Sequence, residues 1–319
     1  MEDNNPLVSI IVRTKDRPEL LERALQSIGA QTYRPIEVVL VNDGGCGLDT
    51  ALLRNILDDV SLEYVQMQSN LGRAHAGNMG IEHSHGEYIG FLDDDDEFYP
   101  EHVETLVAYI EQNNCEIAYT SVECVEKEYD SKTNTYSSEL LKFHYAKDFS
   151  YNDLLAGNYI PLISLLFRSD ILKTVLFDES FDLYEDWDML LRAAENYRFY
   201  FINKVTAKYI QWGDSQIAFQ SSPEIMEQTI SRMYAKHWTH IRADLLARIS
   251  QDNVRKDDAL AGKDSYIRKL EGMITEKDSR ISQLESRLTT QETALSTIHK
   301  SRGWKALSAY YKLRDKLVR

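Results

Sequence analysis

Four consecutive aspartates, Asp93-Asp94-Asp95-Asp96, follow directly on the apolar run Tyr88–Leu92. Adjacent carboxylates repel, and each raises the cost of ionising the next. Such a cluster is readily tolerated when a cation neutralises it. Ligands that are all oxygen suit a hard divalent ion, Mn²⁺ or Mg²⁺, which keeps positions open for phosphate oxygens. An ion of this kind acts as a Lewis acid and offsets charge building on a departing diphosphate. An acidic surface turn has the same composition, but placement at the end of a buried strand favours a ligand site. The histidines near motifs, His75, His83, His85 and His102, lack metal-ligand spacing. Cys46, Cys115 and Cys124 are odd in number, scattered and without a CxxC pair, which argues against a disulfide framework or a zinc site and fits small core residues in a reducing compartment.

The elements that must present these acids alternate. Leu7–Arg13 is β-branched and bounded by Pro6, so it reads as a buried strand. Pro18 opens a helix carrying Leu20, Leu21, Leu25 and Ile28 at helical spacing. A strand at Ile36–Val41 ends in the turn signal Asn42-Asp43-Gly44-Gly45. A helix over Leu48–Leu57, a strand at Leu62–Gln66, a helix over Leu71–His83 and the strand Tyr88–Leu92 follow. Strands separated by helices predict right-handed crossovers and a mainly parallel sheet in an α/β fold, with ligands at the carboxyl ends of the strands. The stretch from Cys115 to Asn158 is less regular. Beyond it come an apolar run at Ile163–Phe167, a helix through Asp186–Ala194 and short strands at Phe199–Ile202 and Ala207–Ile210. The catalytic domain is expected to span 1–222, followed by a helical connector over 223–245.

With that framework the local motifs acquire a pattern. In order they are Ser9-Ile10-Ile11-Val12-Arg13-Thr14 with Asp16-Arg17-Pro18, Val41-Asn42-Asp43-Gly44, and Asn70-Leu71-Gly72-Arg73 with Ala76-Gly77-Asn78-Met79-Gly80; the Asp93–Asp96 run and Tyr184-Glu185-Asp186-Trp187-Asp188 complete the series. Together they resemble a family 2 glycosyltransferase with the glycosyltransferase-A fold, over roughly residues 7–212. The resemblance implies a nucleotide diphosphate sugar donor and a Mn²⁺ or Mg²⁺ cofactor. It implies that Thr14 and Arg17 line the nucleotide pocket and that Asp43 accepts a hydrogen bond from the base. A carboxylate suits the imide of uracil or thymine and equally an N–H of guanine, and an Asx turn would also use Asp43. Arg73 and Asn78 match the donor-binding pair. Asp93 and Asp94 fall on the donor side, with Asp95, joined by Asp93, holding the metal.

Asp186 matches the catalytic base, because inversion at a sugar carbon requires the attacking hydroxyl to lose its proton. Glu185 and Trp187 are candidates for contacting the acceptor, although Glu185 and Asp186 also suit a helix start and Trp187 suits a core. One departure stands out. Many relatives complete the metal site with a histidine after the last strand; here Tyr209-Ile210-Gln211-Trp212-Gly213-Asp214 has none, leaving Asp214 or water. The resemblance extends to bacterial surface glycans, with a lipid-linked O-antigen or capsule acceptor. A catalytically inactive scaffold is the alternative, against which the intact Asp43, Asp93, Asp95 and Asp186 speak. A nucleotidyltransferase would carry a glycine-rich loop after the first strand, where this chain reads Thr14-Lys15-Asp16-Arg17. Nothing marks the lipid-phosphate pocket of a polyprenyl-phosphate transferase.

The remainder differs in kind. Leu260, Ile267, Ile274, Ile281, Leu288 and Leu295 recur every seven residues, and three residues after each lie Lys263, Leu270, Lys277, Leu284, Gln291 and Ile298. This heptad seam predicts a coiled coil over 246–300 and a homo-oligomer of unspecified number. The net charge is −15, which argues against nucleic acid as a partner. The end of the chain is the opposite: Arg302, Lys305, Lys312, Arg314, Lys316 and Arg319 face only Asp315. On a helix most of these basic residues lie opposite Trp304, Leu307, Tyr310, Tyr311, Leu313, Leu317 and Val318, so 301–319 is expected to lie on an anionic membrane surface. Met1-Glu2-Asp3-Asn4-Asn5 has no export-signal character, and no window nears the roughly 18 apolar residues of a spanning helix. The expected location is cytoplasmic, peripheral on the inner face of the bacterial inner membrane.

Overall fold

The computed structural model describes residues 5–127, 129–130, 135–136, 139–212, 222–241 and 243–317. The chain forms two compact units, Met1–Leu245 and Leu246–Arg319.

The first unit begins with four parallel strands, β1 (Val8–Thr14), β2 (Ile36–Asn42), β3 (Ser61–Gln66) and β4 (Tyr88–Asp93), joined by α1 (Pro18–Gly29), α2 (Thr50–Leu57) and α3 (Arg73–Glu82). β1 and β2 are buried along their whole length, as continuous apolar runs in a sheet covered on both faces must be. α1 starts at Pro18 as predicted, whereas α2 and α3 start two residues later than expected, for local reasons. Asp49 caps α2 by accepting from the Ala51 and Leu52 amides, and Gly72, at φ 93°, turns the chain into α3. Beyond β4 come β5 (Glu97–Phe98), α4 (His102–Asn113), β6 (Ile117–Lys127), β7 (Tyr129–Asp130), β8 (Thr135–Tyr136), β9 (Leu140–Tyr145), α5 (Tyr151–Ala156), β10 (Leu165–Arg168), α6 (Ser169–Leu172), α7 (Glu185–Ala194), β11 (Phe199–Trp212) and α8 (Pro223–Lys236).

The strand order is β3-β2-β1-β4-β10-β6-β11-β5, with β9 on β6; β7 and β8 pair separately. β10 is antiparallel to both β4 and β6, and β6 is parallel to β11, so six of these strands point one way. Two features differ from the sequence expectation. The irregular middle contains β6, an interior strand of the sheet. Its Thr120 and Ser121 are buried, the Thr120 hydroxyl taking a hydrogen bond of 2.7 Å from Thr206, which removes the penalty that made the segment look like a loop. The two short strands near residues 199–210 are one strand, interrupted by register shifts between Ile202 and Ala207.

The segment 223–245, expected as a connector, is built into the first unit. Met233 of α8 is fully buried, and the buried Asp188 carboxylate accepts from Arg192 Nε and Lys236 Nζ, each at 2.8 Å, with His237 Nε2 at 3.0 Å. The second unit contains all but the first turn of a helix of 58 residues, Ala243–Lys300, on the order of 87 Å long at 1.5 Å per residue, and a helix at Arg302–Leu317. Among the described residues no helix is long and apolar enough to cross a membrane.

Candidate active site

Because β1, β2 and β4 run in parallel, Thr14, Asp43 and Asp93 emerge at one edge of the sheet. They border a cleft of about 660 Å³, closed on its other side by α7 and the loop before it. That volume lies in the range of small-molecule sites.

β4 ends at Asp93, and a turn closed by the Asp96 amide on the Asp93 carbonyl at 3.1 Å sets the directions of the following acids. Asp93, Asp95 and the nearly buried Asp96 line the cleft, while Asp94 is fully buried and does not. The repulsion is relieved by two guanidiniums. Arg13, almost wholly buried, donates to Asp93 Oδ1 from Nε at 3.0 Å and from Nη2 at 2.6 Å. Arg17 donates to Asp94 Oδ2 at 3.2 Å and to Asp95 Oδ2 at 2.9 Å, and Thr14 adds a 2.6 Å hydrogen bond to Asp94. Asp96 accepts from the Ile210 amide at 2.8 Å, tying the run to β11. Burial pushes the Asp94 carboxyl up to about 7 and Asp96 well above the usual carboxylate range, with neighbouring acids adding to both. Burial acts against ionisation of Asp93 too, but Arg13, Arg73 and Arg17 outweigh it and hold its pKa below the ordinary value. Near neutral pH the run therefore carries less charge than four carboxylates would suggest. Asp94, expected on the donor side, is instead an internal anchor for Thr14 and Arg17.

Asp43 is also nearly buried. Its Oδ1 accepts from the Leu71 amide at 2.8 Å and its Oδ2 from the Gly72 amide at 3.0 Å. The two loops that approach there demand a glycine beside it: Gly44 has φ 72°, and a Cβ on it would come within 2.3 Å of the Asn70 nitrogen. The carboxylate both braces the entrance to α3 and borders the cleft. From α3, Arg73 reaches the cleft and donates to Glu185 Oε2 at 3.0 Å. Asn78 does not reach it. Its amide donates to the Phe177 carbonyl and Glu179, and its oxygen accepts from the Phe177 amide at 2.8 Å. Asn78 is thus a clamp on the 177–179 loop, and its match to the donor-binding pair is corrected. The glycines in this motif serve packing, since a Cβ on Gly80 would meet Ile11 at 2.3 Å.

On the opposite wall α7 starts from Tyr184, which adopts the left-handed conformation at φ 61°. A bulky residue rarely occupies that region, and such strain collects at functional sites. The turn presents Glu185 and Asp186 at the helix N-terminus, where the helix dipole favours negative charge. Glu185 is 1% exposed and paired to Arg13 and Arg73, so it secures the wall rather than offering a free group to an acceptor. Asp186 faces the cleft. Its Oδ2 accepts from Asn158 Nδ2 at 3.0 Å and its Oδ1 from the Trp187 amide at 2.8 Å. Burial and the neighbouring Glu185 raise its pKa to about 6, against the opposing pull of Arg73 and Arg13. A carboxylate tuned toward working pH suits general-base chemistry. Trp187 is corrected from the acceptor side to the core. It is 4% exposed, its indole donates to the Leu154 carbonyl at 2.6 Å, and Tyr184 and Tyr234 pack edge-on to it.

The sequence matches the model of glycosyl transferase family 2 over residues 9–174. It is 30% identical over 234 residues to the glycosyltransferase YwdF of Bacillus subtilis, covering 72% of this chain and 84% of that one. The chain belongs to glycosyltransferase family 2. A further relative, the putative colanic acid biosynthesis glycosyl transferase WcaA of Escherichia coli, is 28% identical over 202 residues, 61% of this chain and 68% of that one. Among solved structures, Staphylococcus aureus TarS 1–349 superposes with a TM-score of 0.54 at 18% identity, covering 72% of this chain and 64% of the other. The mannosyltransferase PcManGT of Pyrobaculum calidifontis, in complex with GDP-Man and Mn²⁺, gives 0.53 at 18%, covering 76% and 66%. The first unit accordingly has the glycosyltransferase-A fold, and the protein is a glycosyltransferase.

Of the residues named from sequence, Thr14, Arg17, Asp43, Arg73, Asp93, Asp95, Glu185 and Asp186 border the transferase cleft; Asn78, Asp94 and Trp187 do not. Asp214 lies outside the described residues, and among the described residues no group of three or more His, Cys, Asp or Glu side chains is arranged to hold a metal. Two contributors were missed. Arg13 sits within an apolar strand, where its only sequence signal was a charge that a fully buried strand must neutralise. Asn158 lies 28 residues before Asp186, and nothing local links them. Replacing Asn158 with Ala removes a donor to the ionised Asp186. Transfer kcat is then expected to fall about tenfold, the scale of one charge-assisted hydrogen bond, while the acidic limb of its pH profile moves upward. Steady-state kinetics across pH 5–8 check both.

Proposed function

We propose that this glycosyltransferase is an inverting, divalent-cation-dependent enzyme that moves a sugar from a UDP- or dTDP-linked donor to a hydroxyl of a lipid-linked bacterial surface glycan. The observation that carries the reading is the meeting, in one cleft, of Asp43, the cleft-facing Asp95 and an Asp186 whose pKa is raised to about 6. Thr14, Arg17 and Asp43 would receive the nucleoside, and Arg73 the diphosphate. Asp186 would take the proton from the attacking hydroxyl on the face opposite the leaving group.

The donor set suits a hard cation. Asp93 and Asp95 are oxygen ligands with 29% and 26% of their side chains exposed in the cleft. They would hold Mn²⁺ or Mg²⁺ together with donor phosphate oxygens, since two carboxylates leave most of a six-coordinate shell to other ligands. When bound, the ion offsets charge on the departing diphosphate. The Mn²⁺ and GDP-Man of PcManGT and the UDP-GlcNAc of a TarS complex lend support by analogy, as does the colanic acid role in the name of WcaA. Self-association through 246–300, membrane attachment through 301–319 and a cytoplasmic position at the inner face of the inner membrane complete the reading. An inactive scaffold is disfavoured by the tuned Asp186.

The test is donor turnover with a panel of nucleotide sugars. EDTA should abolish it and Mn²⁺ or Mg²⁺ restore it. In Asp95→Ala kcat/KM should drop by on the order of a hundredfold, the several kcal/mol of charge stabilisation that a Lewis acid provides. Undiminished turnover in EDTA would remove the metal from the reading.

A further inference from the structure

We infer that the long helix Ala243–Lys300 pairs with a second copy of this chain as a parallel, in-register, two-stranded coiled coil. This rests on the self-association part of the proposed function and is independent of its catalytic part. In the isolated chain the apolar seam is bare: Ile267, Ile274, Ile281, Leu284, Leu288 and Leu295 are each at least 50% exposed. Apolar side chains every seven residues over several heptads match a helix partner of the same period.

What selects the partner and its direction is the charge beside the seam. Counting Ile267, Ile274, Ile281, Leu288 and Leu295 as first positions of the heptad, the fifth positions include Asp278, Glu285 and Glu292, and the seventh include Arg280 and Arg287. All five are exposed. In a parallel pair, each seventh-position side chain meets the fifth position of the next heptad across the seam. Arg280 then faces Glu285 of the second copy, and Arg287 faces Glu292, on both sides of the pair. An antiparallel pair sets fifth positions against fifth and seventh against seventh, so acid meets acid and arginine meets arginine. The same sequence is thus self-complementary in one direction and self-repelling in the other.

Strand number follows from the seam itself. Isoleucine at the first positions Ile267, Ile274 and Ile281, with leucine at the fourth positions Leu270 and Leu284, favours two strands over three or four, a preference to which the first positions Leu288 and Leu295 do not add. The polar fourth positions Lys277 and Gln291 weaken the seam, and alignment with their own copies restricts the register; the lysine stem packs while its ammonium reaches solvent. A parallel pair also sends both Arg302–Leu317 helices out of the same end of the rod.

Sedimentation velocity on the full chain should give a mass twice that of one chain at micromolar concentration. In a Cys46→Ser background, Leu270→Cys and Leu295→Cys, placed toward opposite ends of the seam, should each oxidise to a self-linked dimer. Arg280→Glu/Arg287→Glu should weaken the dimer at least about tenfold, and mixing with Glu285→Arg/Glu292→Arg should restore it, as expected for paired flanking charges. Linking only between mixed Leu270→Cys and Leu295→Cys chains would establish the antiparallel arrangement and overturn the inference, as would a mass of three or four chains. A monomer would overturn it together with the self-association reading, whereas donor turnover reports separately on the catalytic reading.

Discussion

Asp186→Asn should still bind the donor but transfer its sugar about a thousandfold more slowly, within the range contributed by a positioned general base. The substitution keeps the size of the side chain and its capacity to accept from the Trp187 amide, so the loss isolates proton abstraction. The pH dependence carries the same signature with a definite sign. Burial is the largest influence on this carboxyl and Glu185 adds to it, and together they overcome Arg73, the Trp187 amide and Arg13 to place the pKa at about 6. In the proposed base role the ionised form is the active one, so kcat should be level above that pH and fall as pH drops through it, by about tenfold per unit at the limit. Titration of donor binding by calorimetry, beside kcat profiles for both proteins, checks the claim. A variant that transfers at the native rate would remove Asp186 from the chemistry.

Arg13→Met should lower the melting temperature more than any other single change in the cleft. The methionine approximates the volume of the aliphatic stem but leaves Asp93 without its guanidinium and Glu185, almost wholly buried, with Arg73 alone. Breaking a buried ion pair costs about 3–5 kcal/mol because the surviving charge is stranded. Asp93 retains some contact with water and Glu185 retains one partner, so the lower end applies, about 3 kcal/mol. For a unit of this size that is a fall in melting temperature of roughly 6–12 °C. Adding Glu185→Gln should recover part of the loss, because the stranded charge is then absent; a calorimetric double-mutant cycle measures the coupling. The same substitution should affect activity in a predictable direction. Arg13 pulls the Asp186 pKa down, so its removal moves the acidic limb of the rate profile upward. If Arg13→Met melts with the native protein, the account of how the acidic run is neutralised fails.

The arrangement explains how one edge of a sheet can carry so many acids. Arg13 is buried, and burial alone would lower its pKa, yet Asp93 and Glu185 raise it above the ordinary arginine value and keep it charged. It joins the strand-end acids to the wall that carries Asp186, so the two halves of the cleft share one electrostatic network. Loss of a member on either side is therefore felt on both.

Much of this was legible in the chain itself. Alternating apolar runs and helical periods determined the order of the first four strands and three helices, because burial on both sheet faces forces continuous apolar strands and crossovers force helices between them. The resemblance located Asp43, Asp95 and Asp186, and the heptads marked the long helix. Tertiary structure decided the rest. Only the packed fold shows that Asp94 and Trp187 turn inward, that Asn78 clamps a loop, that β6 is an interior strand whose polar side chains find partners in β11, and that Arg13 and Asn158 complete the site. Spacing along a chain sets which face of an element a residue occupies. Whether that face meets water, apolar side chains or an opposite charge depends on elements distant in sequence, and those contacts determine which carboxylates ionise and which one can accept a proton.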